Sequence, residues 1–191
     1  GERIQRLRDA AAIDVYTPGS NAGRPLSILR SFAAPDPVVA SDATALKERV
    51  GSAVAGLLGL LGVDADPIRS REYILLSALL DAAWRQGESL DLAALIRSVQ
   101  KPPFDKVGVF DVESFFPTKE RTELALRING LLASPGFEAW LDGDPLDIQS
   151  LLYDADGKPR VAIISIAHLN DAERMFVVTL VANELVAWMR R

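Results

Sequence analysis

Apolar residues recur along this chain mostly at helical spacing. Leu46, Val50, Ala53, Val54, Leu57, Leu58 and Leu61 lie three and four residues apart, as on one face of a helix. Ser41 or Asp42 is suited to cap that helix and Gly62 to stop it. Gly51, Gly56 and Gly59 weaken it by up to about 1 kcal/mol each relative to Ala, and close helix packing is the expected compensation. Further helices are predicted over 68–86, ended by Gly87, and over 91–99, halted by Pro102-Pro103. Another starts at Pro117-Thr118, buries Leu124, Ile128, Leu131 and Leu132, and closes at Pro135-Gly136. Phe137 to Leu141 adds a helical turn, and Leu146 to Leu152 is ambiguous between helix and strand.

Period-two patterning is scarce. Ile13-Asp-Val-Tyr16 alternates like a strand, Leu26 to Leu29 reads as a short extended piece, and Gly108 to Val112 is a third candidate. A short charged helix over 2–11 precedes them, with Arg3, Arg6 and Arg8 on its exposed side. The clearest segment is Val161-Ala-Ile-Ile-Ser-Ile-Ala167, nearly continuous apolar sequence as expected of a strand covered on both faces. Asn170 follows as a helix N-cap with Glu173 as its capping-box partner, and the helix over 171–190 is apolar on most sides, so it too is predicted to be buried. A buried strand followed by a buried helix is most of a βαβ unit, and with few other strands to complete a sheet the sequence is expected to be a piece of a larger one.

Composition narrows the chemistry. The 191 residues are 49% hydrophobic and 25% charged, a globular balance sufficient for one domain or two small ones. A net charge of −5 argues against a broad phosphate-binding surface. The absence of cysteine removes disulfides, thiolate catalysis and cysteine metal sites, and fits a cytoplasmic setting. A single histidine makes a typical zinc site unexpected, and the longest apolar run, Ala53 to Val63, is too short to span a bilayer.

Four constellations fail on spacing. The Gly157-Lys158 pair is followed by Pro159 and has Leu152 where a phosphate-binding loop needs its first glycine. Gly56, Gly59 and Gly62 end a helix instead of following a strand, so they read as helix packing and not as a dinucleotide fingerprint. Asp142, Asp144, Asp147, Asp154 and Asp156 do not fit a calcium loop, because aligning Gly157 puts Ile163 where Glu is required. Ser165, His168 and Asp171 match no nucleophile elbow. His168, Asn170, Asp171 and Arg174, at the junction of a strand end and a helix start, are the candidate functional residues; no catalytic, cofactor-binding or metal-ligating set is expected in this chain.

The run from Val161 through His168-Leu-Asn-Asp-Ala-Glu-Arg174 to Leu185 resembles a segment of the HerA-like P-loop ATPases, relatives of the FtsK-type DNA translocases. Tyr16-Thr-Pro-Gly-Ser20, Leu57 to Pro67, Arg69-Ser-Arg-Glu72 and Leu132 to Phe137 are similar to phrases of bacterial members with a large insertion. The resemblance implies an internal piece lying between Walker A and Walker B of a parent α/β ATPase. Residues 1–35 and 142–191 would then belong to the nucleotide-binding core and 36–141 to a helical insertion, giving a mostly helical fragment with a few strands and a strand–helix ending. The parent would use ATP and magnesium, assemble as a ring and act on DNA, while the fragment alone would be inactive. No Walker residue matches a position here. The other reading that the residues support is a self-contained helical protein-interaction domain with no nucleotide chemistry.

Overall fold

A computed structural model describes residues 6, 10–27, 32–134 and 136–189. The predicted helix over 2–11 and the far end of the extended piece Leu26 to Leu29 lie outside the described residues, wholly or in part. The chain is mostly helical with a few short strands. It folds as two compact units, one made of 1–30 with 136–191 and the other of 31–135.

The first unit opens with strand β1 (Ala12–Tyr16) and the short β2 (Leu26–Ser27). The chain then builds the second unit from α1 (Pro37–Ser41), α2 (Ala43–Leu60), α3 (Arg71–Arg85) and α4 (Leu92–Gln100), a hairpin of β3 (Lys106–Val107) and β4 (Phe110–Asp111), and helices α5 (Val112–Phe115) and α6 (Thr118–Leu132). It returns through a 3₁₀ turn (Phe137–Trp140), β5 (Asp144–Pro145), α7 (Ile148–Leu152), β6 (Arg160–Ile164) and α8 (Asp171–Met189).

Capping explains where the helices of the second unit begin. Asp42 Oδ1 accepts the amides of Thr44 and Ala45 at 2.8 and 3.1 Å, filling orphan donors of α2. Helix α3 starts at Arg71, later than the predicted residue 68, because Asp66 takes the amides of Ile68 and Arg69 in a separate turn and Ser70 then caps Tyr73. Leu46, Val54, Leu58, Leu75, Leu76, Leu80, Trp84 and Ile128 are fully buried and make this unit's core. Each is worth roughly 1.5–3 kcal/mol of burial before chain entropy is counted. The Trp84 indole donates to the Phe32 carbonyl at 3.2 Å, which also accepts the Leu90 amide, so the entry segment is held on α3. Gly108, with φ of +61°, turns the hairpin, so the predicted extended segment over 108–112 is split between a turn, β4 and the start of α5.

At the other end of that unit, Arg121 is buried and joins α5 to α6. Its guanidinium donates to the Phe116 carbonyl at 2.6 Å, to Thr118 Oγ1 at 2.8 Å and to Glu113 Oε2 at 3.1 Å.

In the first unit β1 and β6 pair in parallel, with Ile13 beside Val161 and Val15 beside Ile163. β2 pairs in parallel with β5. One face of the β1–β6 pair packs Tyr16, Ala162 and Ile164 against Leu26, Ile148, Leu151 and Trp188. Two expectations are corrected here. Ile13, Val15, Val161 and Ile163 on the opposite face are each about half exposed, so β6 is covered on one face only. Helix α8 buries Phe176, Val177 and Leu180 but turns Met175, Val178 and Met189 to the surface. The physical reason is shared: the sheet has two strands among the described residues and a single layer against it, so each apolar element has one partner surface.

Candidate functional site

The carboxyl ends of parallel strands are where loops gather in an α/β unit, and here they bring two loops together. After β1 the chain turns through Thr17-Pro-Gly-Ser20. Thr17 is buried; its hydroxyl donates to the Ser20 carbonyl at 2.9 Å and accepts the Gly23 amide at 3.1 Å. Gly19 has φ of +68°, and a Cβ there would collide with the Trp140 ring, so the loop closes against that indole.

After β6 the chain leaves the strand earlier than predicted. Ile166 and Ala167 lie outside β6; the loop that follows carries His168 and Asn170, and the first turn of α8 carries Asp171 and Arg174. His168 Nε2 is 2.9 Å from the Pro18 carbonyl, and since a carbonyl only accepts, the ring carries its hydrogen on that nitrogen. Asn170 and Glu173 form the expected reciprocal capping box: Asn170 Oδ1 accepts the Glu173 amide at 3.0 Å and Glu173 Oε2 accepts the Asn170 amide at 2.9 Å. Arg174 reaches back over the loop. Its guanidinium donates to the carbonyls of Ile166 at 3.3 Å and Ala167 at 3.1 Å, and to Asp171 Oδ1 at 3.2 Å. The four residues are thus brought together, each with a structural task. His168 is directed at Pro18 and Asp171 at Arg174, so Ser165, His168 and Asp171 do not form a relay.

A second cluster was not singled out from the sequence. Arg24 lies over the Tyr16 ring at 5.5 Å and bonds Asp14 at 3.0 Å and Asp144 at 2.5 Å. Burial pushes the Tyr16 phenol above its ordinary pKa, against the opposing pull of Arg24. The signal was present in Asp14 on an alternating strand and Arg24 in a Gly-Arg-Pro turn, but the pairing requires β2 and β5 to be adjacent, which periodicity does not reveal. Arg24 has both carboxylates and the ring as partners, so the cluster ties β1 to the β2–β5 pair.

In the second unit a shallow cleft is lined by Glu72, Phe116, Glu120, Glu123, Leu124 and Arg127. Its best-placed carboxylate, Glu120, is bonded to Arg71 at 2.5 Å, and Arg71 in turn lies over the Phe116 ring. Among the described residues no cluster of His, Asp or Glu could hold a metal ion, and no helix is long and apolar enough to cross a membrane. The first turn of α8 carries Asp171 and Glu173, which disfavour a phosphate at that helix start, so these residues do not fit a nucleotide's phosphates. What the site offers is loop positioning and hydrogen bonding.

Comparison with protein-family models, curated proteins and solved structures finds no match to this chain.

Proposed function

We propose that this chain is a segment of a HerA-like P-loop ATPase, a cytoplasmic DNA-translocating motor, and that the segment is a scaffold without chemistry of its own. The supporting observation is the parallel β1–β6 pair with α8 following β6, the arrangement of an α/β core. The chain between those strands carries the helical unit 31–135, in keeping with an insertion into such a core. The similarity of Val161 to Leu185 to that family adds to it. On this reading ATP and magnesium are held by Walker residues elsewhere in the parent chain, and the loop with His168 and Asn170, together with Asp171 and Arg174 at the start of α8, supports the sheet beside them. DNA is met by other parts of a ring, since the net charge of −5 does not favour a phosphate-binding surface here.

The test compares a parent chain extended on both sides with residues 1–191 alone, measuring ATP hydrolysis with magnesium, with and without duplex DNA. Hydrolysis by the extended chain, raised by DNA, with none by the segment, is the expected outcome. An extended chain that binds no nucleotide overturns the reading and leaves a helical interaction domain, which the closed core of residues 31–135 independently favours.

A further inference from the structure

The outward side of α8 carries a regular pattern. Met175, Val178, Ala182, Leu185 and Met189 follow one another at alternating steps of three and four residues, and all are exposed. Met175 is 65% exposed, Val178 51% and Met189 71%, on a helix whose opposite side buries Phe176, Val177 and Leu180. An apolar seam at this spacing is the surface that a second helix fills, with side chains of one seated between those of the other.

Three features of the seam select a second copy of this chain as that helix. The first is its symmetry about Ala182: a Met lies seven residues to either side, and Val178 and Leu185 lie four before and three after. A twofold axis near Ala182 therefore sets Met against Met and Val against Leu, with the smallest side chain where two helices come closest, as a self-complementary interface requires. The second is the absence of charge. Thr179 and Val186, which flank the seam, are uncharged as well, so two copies meet without like-charge repulsion. The third is the helix dipole: antiparallel pairing of two α8 helices, neither of which has a basic side chain in its last turn, opposes their dipoles.

We infer that two copies of this chain associate through α8, antiparallel, with Ala182 near the twofold axis. This does not rest on the nucleotide reading: its readouts are mass and cross-linking, which hydrolysis by a parent chain does not affect.

The 191-residue chain is expected to sediment at about twice the monomer mass as its concentration rises. Val178→Glu buries an unpaired carboxylate against Leu185 of the second copy and should raise the dimer dissociation constant by about a hundredfold. Unchanged far-ultraviolet circular dichroism serves as the check on folding. The chain has no cysteine, which allows a direct orientation test. Under mild oxidation, mixed Met175→Cys and Met189→Cys chains should cross-link to each other, whereas Asn183→Cys, turned away from the seam, should not cross-link. A monomer at every concentration overturns the inference, and so does a dimer that Val178→Glu leaves intact but Val161→Glu, on the open sheet face, abolishes. Self-linking of Met175→Cys in place of the mixed product overturns the antiparallel arrangement.

Discussion

Removing the Arg174 guanidinium should loosen the loop after β6 without unfolding either unit. Arg174→Met keeps the apolar stem and deletes the donors to Ile166 and Ala167. A hydrogen bond to a charged group contributes about 1.5–3 kcal/mol when well shielded. This side chain is 44% exposed and its two carbonyl contacts are 3.1 and 3.3 Å long, so the pair together is better put at about 1–2 kcal/mol. The Leu169 amide reports on this directly, because it donates to the same Ile166 carbonyl at 3.2 Å. Its hydrogen-exchange protection should fall by about five- to thirtyfold. Asp171→Asn separates the two roles of the arginine. The Asp171 carboxylate is 97% exposed, so losing that ion pair should cost near the bottom of the range of about 0–1 kcal/mol. A change in Leu169 protection below about twofold in Arg174→Met, or an equal loss in Asp171→Asn, would refute the reasoning that the carbonyl bonds hold the loop.

Glu113 and two glycines give further tests. The Glu113 carboxyl is held below its ordinary pKa by the Thr118 amide, the Thr118 hydroxyl and Arg121. Its stabilising contribution is therefore full above the unfolded-state value of about 4.3 and lost as pH falls through the lowered folded value; Asp111 is lowered as well, so urea melts across the acid range should show a smaller decline in Glu113→Gln than in the unsubstituted chain. Gly143 has φ of +105° and a Cβ there would meet the Pro25 carbonyl, so Gly143→Ala should destabilise the first unit by at least about 2 kcal/mol. Gly130, inside α6 with open space around it, should show the reverse sign on substitution by Ala, a gain of about 0.5–1 kcal/mol, and the two unfolding midpoints should move in opposite directions.

Local features were legible in the sequence where neighbouring residues determine them. Asn170 with Glu173, Asp42 as a cap and Gly62 as a stop all act within a turn or two of themselves, and each performs the expected task. The ambiguous segment at 146–152 is resolved as α7 once Asp147 Oδ2 accepts the Ser150 amide at 3.1 Å. What pattern could not supply was the number of surfaces available to an apolar element. Val161 and Ile163 are as apolar as Ile164, but only the last has a packed layer to face, and composition does not record that difference. Nor did it record that β6 pairs with β1, or that Arg24 joins Asp14 to Asp144, since both depend on segments distant in the chain. The candidate junction at 165–174, a loop and the first turn of α8, was found because a strand end followed by a capping box is a local signature. The parts its residues play, with His168 on Pro18 and Arg174 on two carbonyls, come from the tertiary fold.

The parallel pairing of Ala12 with Arg160 has a consequence for how the chain is made. On the ribosome β1 emerges roughly 150 residues ahead of its partner, which at about 5–20 residues per second is a wait of about 7–30 s. During that interval the helical unit 31–135 is synthesised in full and can close its own core, while Ile13 and Val15 remain without the strand that flanks them. The nascent chain therefore passes through a stage in which its middle has closed its core while its first strand still waits for the partner that completes the pair.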